Sequence, residues 1–315
     1  MEYNKAIADM VSGDEVEGYY VLAGVQIKRT AAGKPYLSAS LSDASGVIDA
    51  KMWDYVGDFS EADAGSVIKV RGDVSEYKGT PQLTITRIRS VDGNDRYDLT
   101  NLVPSAPIDT DAAYSDICAL VESMDDADYK AVCTAMLERR GDKFRIIPAA
   151  KSVHHGFVAG LLMHTANMLQ LADFLSAQYS YVINRDLLLA GTLLHDFAKL
   201  DEFTFSGLGL VTGYSTGGQL LGHLVMGAQE VASLAKELGI DQEKSVLLQH
   251  MILSHHGVPE NGAAVKPLCA ESELLSYIDL IDSRMEIFAE AFENLPTGSF
   301  SQKIYALDKK IYKHG

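Results

Sequence analysis

The sequence predicts a two-domain protein in which a small N-terminal β-barrel precedes an all-α helical bundle. Three observations carry this. The 315 residues exceed the usual size of a single domain. The first ninety break into short runs rich in β-branched and aromatic residues, divided by turn residues. From residue 111 onward the apolar spacing changes to i, i+3, i+4, the period of an amphipathic helix. Composition agrees, since 47% hydrophobic and 22% charged residues describe a globular chain and exclude a disordered one.

The predicted strands are 16–26, 36–42, 46–53, 66–74 and 83–89, with turn signals at Ala32-Gly33-Lys34, 43–46, Ala64-Gly65 and Lys78-Gly79. Five strands so divided fit a closed barrel, and the OB-fold is the commonest small barrel of that count. An SH3-like barrel is the structural alternative. Residues 92–110 are polar, contain Pro104 and Pro107 and show no hydrophobic period, which makes them a linker. Helices are expected at 161–177, 185–200, 218–238, 242–256 and 271–292, with Gly239 as a C-cap. No segment of this half reads as a strand. The expected architecture is an OB-fold over 1–91, a linker over 92–110 and a helical bundle over 111–315.

The net charge of −16 weighs against a nucleic-acid ligand, because phosphate binding usually leaves a basic footprint. The acid is uneven, however. Residues 1–90 hold 10 Lys/Arg against 13 Asp/Glu, so most of the excess lies in the helical half. The apolar run 187–194 is far shorter than the roughly 20 residues a bilayer span needs, so no membrane association is expected. The first residues lack a basic segment followed by an apolar one, so a secretory signal is not expected. Cys118, Cys133 and Cys269 are odd in number and not closely spaced. They read as small buried hydrophobes in a cytoplasmic protein.

All but one of the nine histidines fall between His154 and His256, and their order is informative. His164 lies inside the first long predicted helix. His195-Asp196 comes late in the next, His223 opens another, His255-His256 closes a fourth, and Asp279 and Asp282 lie in the last. Side chains projecting inward from facing helices are how bundle metal sites are assembled. Imidazole and carboxylate donors without thiolate suit Mn, Fe, Co or Zn. The number of donors suffices for two ions, and Lys199 adds a cation nearby. A single buried histidine is usually a hydrogen-bonded core residue. The ordered set is harder to explain so, because an aspartate within an apolar helix is costly to bury unpaired.

This set resembles the HD phosphohydrolase superfamily over about residues 145–295. The resemblance implies metal ligation by His164, His195, Asp196 and Asp279, with His223, His255 and His256 joining where two metals are bound. The late ligand is open between Asp279 and Asp282, and Asp279 is preferred. The run FRIIPAAKSVHHGFVAGLLMHT at 144–165 is similar to the signature of the YhaM family of 3′–5′ exoribonucleases. That family joins an OB-type domain to an HD domain. GKPYLSASLSDASGVIDAKMWD and VIKVRGDVSEYKGTPQLTI, in the first domain, fit it as well. One departure is Met163, where the family pattern has Glu. The resemblance makes His154 and His155 candidate contacts to substrate phosphate.

OB-folds bind single strands by stacking bases on aromatics while basic side chains follow the phosphates. The candidates are Tyr36, Trp53, Tyr55 and Tyr77 with Lys28, Arg29, Lys34, Lys51, Lys69, Arg71, Lys78, Arg87 and Arg89. Trp53 could equally be barrel core, and the charges an ordinary solvated face. The strongest set is Tyr36, Trp53, Tyr77, Lys28, Lys34, Lys51, Arg71 and Lys78. The expected protein is a metal-dependent 3′–5′ exoribonuclease with two divalent ions, manganese favoured, releasing nucleoside 5′-monophosphates. Single-stranded RNA is the expected partner, with single-stranded DNA and self-association left open. Catalysis is expected to use Asp196, Lys199, His154 and His155. The rival expectations are a phosphohydrolase of small nucleotides or cyclic dinucleotides, favoured by the acidic charge, and a non-catalytic RNA-binding adaptor.

Overall fold

The computed structural model describes residues 2–315 except 78, 99–100, 104, 150–156, 206–210 and 294. By backbone proximity the chain divides into two compact units. One is Met1–Ser105 with Phe205–Thr212, and the other is Ala106–Thr204 with Gly213–Gly315.

In the first unit, β1 (Glu2–Tyr3), β2 (Glu15–Arg29), β3 (Pro35–Asp43), β4 (Gly46–Trp53), β5 (Val67–Tyr77) and β6 (Thr80–Ser90) share one sheet. Its order is β1-β2-β3-β4-β6-β5, and β2 pairs again with β5, so the five long strands close on themselves. The first half of β2 pairs with β5 and the second half with β3, the change coming at an irregularity between Leu22 and Gly24. β4 and β6 run parallel and the remaining pairs of long strands are antiparallel. This is an OB-type barrel, the expected fold, and not the SH3-like alternative.

Period-two alternation builds its core. Leu37, Ala39 and Leu41 of β3, Ile48 and Ala50 of β4, and Leu83 and Ile85 of β6 all face inward. The β3–β4 turn is fixed by Asp43. Its buried carboxylate accepts hydrogen bonds from the backbone N–H groups of Ile7 and Ser45, both at 2.8 Å, and of Gly46 at 3.0 Å.

The second unit contains α1 (Thr110–Glu122), α2 (Ala127–Phe144), α3 (Gly160–Gln178), α4 (Arg185–Leu194), α5 (Lys199–Glu202), α6 (Thr216–Leu220), α7 (Gly222–Leu238), α8 (Gln242–Ser254) and α9 (Ala270–Glu293). Asp109, Asp126, Asn184 and Asp241 cap α1, α2, α4 and α8 by accepting two backbone N–H groups each. Gly239 ends α7 at φ 69°, the C-cap the sequence indicated. α4 is buried from Asp186 to Leu194 and packs against α2, α3, α8 and α9, so it is the axis of the bundle. A helix apolar all round belongs in such a place.

Three expectations need correction. The predicted helix 185–200 breaks after Leu194, where i→i+3 hydrogen bonds from Phe197 to Leu194 and from Lys199 to Asp196 turn the chain at the His-Asp pair. The predicted helix 218–238 is two helices, broken at Gly222 with φ +73°. The all-α expectation also gives way in detail, because β7 (Phe203–Phe205) pairs with β8 (Val211–Tyr214) and β9 (Ser299–Phe300) with β10 (Tyr312–Lys313). Runs of two to four residues are too short to reveal a period. All three cysteines are free, but only Cys133 is buried, while Cys118 and Cys269 are half-exposed.

The barrel offers a test of its closure. At Gly72, opposite Thr84 and Ile85 where the β5–β6 register shifts, a Cβ would fall inside contact distance of the Thr84 carbonyl oxygen. Gly24 has open space around the same position. Gly72→Ala should therefore cost roughly 1–3 kcal/mol in denaturant unfolding, with Gly24→Ala close to the parent; equal stability of the two variants would refute this account of the closure.

Candidate functional site

Five segments of the helical unit deliver the predicted donors to one place. His164 lies in the second turn of α3, and His195 and Asp196 follow the last turn of α4. Lys199 opens α5, His223 lies in the first turn of α7, His255 and His256 follow α8, and Asp279 lies mid-way along α9. His164, His195, Asp196 and His255 are buried.

Asp196 stands between two groups of imidazoles. Its Oδ2 is 3.3 Å from His195 Nε2 and 3.9 Å from His164 Nε2. Its Oδ1 is 3.3 Å from His223 Nε2 and 3.7 Å from His255 Nε2. On the first side His164 Nε2 also lies 3.3 Å from His195 Nε2 and 3.4 Å from Asp279 Oδ1. On the second, the rings of His255 and His256 meet edge-on with centroids 4.2 Å apart. Donor atoms of His164, His195 and Asp196 lie within 4.8 Å of one another, and so do those of His223, His255 and His256.

Four of the five cluster histidines, His164, His195, His223 and His255, are held with one nitrogen outward and one inward. His195 Nδ1 donates to the Thr192 carbonyl at 2.7 Å, and His255 Nδ1 donates to the Ile252 carbonyl at 2.8 Å. A carbonyl oxygen only accepts, so the proton must sit on Nδ1 and the Nε2 lone pair is left facing the cluster. Asp282 Oδ2 holds His164 Nδ1 at 2.7 Å, and Glu202 Oε1 holds His223 Nδ1 at 3.1 Å. Asn167 in turn donates to Asp282 Oδ1 at 3.1 Å. Such partners orient a metal-binding histidine and raise its basicity. Among the described residues, Asp196 Oδ1, His223 Nε2, His255 Nε2 and His256 Nδ1 are buried without a hydrogen bond. Orphaned lone pairs converging in a buried site fit a divalent cation.

The electrostatics point the same way. Burial opposes a charge on Asp196, yet Lys199, His195 and His223 hold its carboxyl well below the usual range. Burial likewise opposes charge on Asp279, and His164 outweighs it. His255 is pushed well below the ordinary imidazole value, chiefly by burial, with His195 adding to it. His164 goes the other way, up to about 9: burial works against its charged form, and Asp279 and Asp282 overcome it. Carboxylates that favour a proton there favour a dication more strongly.

The sequence left Asp279 and Asp282 as alternatives for one place. The structure gives them different partners: Asp279 faces His164 Nε2, inside the cluster, and Asp282 holds Nδ1 from behind. Lys199 Nζ donates to Asp196 Oδ2 at 2.6 Å. Met163 lines a hollow with Ile108, Ala112 and Ile117 of the α1 side. His154 and His155 lie outside the described residues. Sequence reasoning missed Glu202 and Asn167. Their signal was present, since Glu202 is a buried carboxylate next to an apolar segment, but it singles out no partner.

On the barrel, Trp53 is 49% exposed and Tyr77 51% exposed, so Trp53 is not core. Trp53 sits opposite Tyr36 in register, the rings 5.0 Å apart, and Lys28 is opposite Tyr36 on the next strand. Lys51 Nζ lies 5.0 Å from the Tyr77 ring and 5.7 Å from Trp53. Tyr36, Trp53, Tyr77 and Lys51 thus form one aromatic-basic face. Tyr55 does not join it, being buried with its hydroxyl accepting from Phe59 N–H at 3.0 Å. Lys34 pairs with Asp54 at 3.2 Å. Arg71 lies elsewhere, in a groove of about 460 Å³ with Lys69, Arg87 and Arg89. There Glu15 answers Arg71, Glu17 answers Lys69 and Asp95 answers Arg89. Lys78 lies outside the described residues.

Residues 20–91 match the model of an OB-fold nucleic acid binding domain, and residues 161–284 match the HD domain. The latter span encloses every member of the His/Asp cluster. Over 311 residues the chain is 36% identical to the 3′–5′ exoribonuclease YhaM of Listeria innocua, covering 98% of this chain and 97% of that protein. The chain belongs to the YhaM family. A YhaM of Oceanobacillus iheyensis is 34% identical over 307 residues, with 97% and 96% coverage. One from a Geobacillus species is 36% identical over 309 residues, with 98% and 94% coverage. The HD match and the two donor groups together mark the cluster as a divalent-metal site.

If Asp282 works by fixing the His164 ring, Asp282→Ala should lower divalent-ion affinity roughly 10- to 100-fold in calorimetric titration while leaving helical circular dichroism intact. Parent-like affinity would remove Asp282 from the site.

Proposed function

We propose that the chain is a metal-dependent 3′–5′ exoribonuclease that shortens single-stranded RNA and releases nucleoside 5′-monophosphates. The observation that carries the reading is the Asp196 carboxylate, whose two oxygens face two separate groups of imidazoles. Its support from relatives is the printed activity of the YhaM proteins, matched over nearly the whole chain.

In this reading His164, His195, Asp279 and Asp196 would hold one divalent ion, and His223, His255, His256 and Asp196 would hold a second. The thiolate-free donor set suits manganese first, with cobalt, iron or zinc compatible. Divalent ions held there supply Lewis acidity to the phosphoryl oxygens and make hydroxide available at neutral pH. The protein's own part is positional. Asp282, Glu202 and the Thr192 and Ile252 carbonyls fix the imidazoles, so their lone pairs need not reorganise when substrate arrives. Lys199, hydrogen-bonded to Asp196, holds that carboxylate and offsets its charge. For His154 and His155 the proposed contact with substrate phosphate rests on their place in the sequence motif. Tyr36, Trp53, Tyr77 and Lys51 hold the strand upstream by stacking and by charge, a mode tolerant of base identity and therefore open to single-stranded DNA.

Three expected outcomes test this. The purified protein should contain two divalent ions per chain by elemental analysis and degrade RNA oligomers from the 3′ end. Asp196→Ala should lose both ions and at least a thousandfold in turnover, about what removing a central electrostatic group costs. Wild-type turnover in that variant, or turnover confined to free nucleotides, would refute the reading. For the barrel, a Trp53→Ala, Tyr77→Ala variant should weaken binding of long unstructured RNA by roughly 1–3 kcal/mol per lost stacked base while cleaving a dinucleotide as the parent does. Equal effects on long and short substrates would mean that this face does not hold RNA.

A further inference from the structure

Beside the His/Asp cluster the helical unit opens into a cleft of about 510 Å³, a size suited to a nucleotide-scale ligand. His255, His256 and Asp279 line its inner end. One wall is α9, which contributes Tyr277, Ser283 and Arg284 as well as Asp279. The helix is strongly acidic, with seven carboxylates among its 24 residues, and Arg284 is its one basic residue. The guanidinium is exposed and, among the described residues, makes no ion pair, although acidic side chains surround it along the helix. Elsewhere in this unit arginines are matched: the exposed Arg139 pairs with Glu237, and the half-buried Arg185 with Asp173. Tyr277 is 54% exposed on the same wall, its hydroxyl donating to Glu273 Oε1 at 2.8 Å.

Position along the helix gives Arg284 its meaning. Asp279 faces His164 Nε2 within the cluster, and Arg284 follows five residues later, about 7.5 Å along the helix axis. That offset is of the order of one nucleotide step in an extended strand. A planar guanidinium binds phosphate oxygens through paired N–H donors, and an acidic cleft with a single such group admits a backbone phosphate at one register only. We propose that Arg284 binds the phosphodiester one step 5′ of the scissile linkage, so that it sets the register of the 3′ end against the His/Asp cluster. Tyr277, on the cleft wall near Asp279, offers its ring face to the terminal base. This inference rests on the exoribonuclease reading and deepens it by naming what the cleft recognises.

A dinucleotide has only the scissile phosphate, whereas a trinucleotide also has the one assigned to Arg284. Steady-state cleavage of both by the full-length parent, Arg284→Ala and Arg284→Lys, loaded with manganese, is therefore the test. The expected result is a rise of about tenfold in KM for the trinucleotide in Arg284→Ala, the scale of one charge-assisted hydrogen-bonded contact. The dinucleotide should be cleaved within about twofold of the parent, and Arg284→Lys should fall between. A trinucleotide with an uncharged methylphosphonate at its 5′ linkage should weaken the parent by a similar factor and leave Arg284→Ala unaffected. Equal losses on the two lengths, or an Arg284→Ala protein that still responds to the neutral linkage, would overturn the assignment. A parent that cleaves free nucleotides but neither oligomer would instead overturn the exoribonuclease reading, and this subsite with it.

Discussion

Burying the carboxylate of Asp196 is the constraint to which the helical unit is fitted. A lone carboxylate at the end of the most buried helix would be protonated or would unfold its surroundings. Here Lys199 comes back one turn later to meet one oxygen, and imidazoles from α3, α7 and the end of α8 approach both. Each imidazole is in turn held by a group behind it. The arrangement is expensive in desolvation, and an assembly of this kind is retained for chemistry more readily than for stability.

The local backbone follows from the same demand. α4 would run on past Leu194 if apolar periodicity alone decided, and the sequence reads that way. The tight turns at 195–198 instead swing His195 and Asp196 off the helix end and bring Lys199 to within 2.6 Å of the carboxylate. A similar account covers Gly218 and Gly222. Gly218 lies against the backbone carbonyl of Glu202, where a Cβ would collide, and Gly222 takes up the positive φ that starts α7 beside that glutamate. His223 then receives Glu202 Oε1 at both its backbone N–H and its ring.

What the sequence made legible, and what it hid, divides along physical lines. Strands β3 and β4 were readable nearly to the residue, because alternation and the Asp43–Gly46 turn mark both ends. The positions that meet in the His/Asp cluster were readable because charge inside an apolar helix is costly and therefore conspicuous. Asp282 was visible as a residue but not as a role: spaced i, i+3 from Asp279, it shares a helix face with it, and only three-dimensional placement shows which ring nitrogen each one meets. Tyr55 looked like its neighbours Trp53 and Tyr36, but it lies past the end of β4, where Asp54 turns the chain at φ 51° and the tyrosine is buried. The helix breaks were hidden because apolar period persists through them, and the short strand pairs because they have no period at all.

The hydrogen bond from His164 to Asp282 spans 118 residues of sequence. A ribosome delivers the chain from its N-terminus, so the barrel, whose last strand is complete by Ser90, emerges and closes long before α9 exists. During that interval His164 has neither Asp279 nor Asp282 beside it, and the imidazoles face a centre that lacks one wall. The grip on nucleic acid and the means of cutting it thus mature at different times in the life of one molecule.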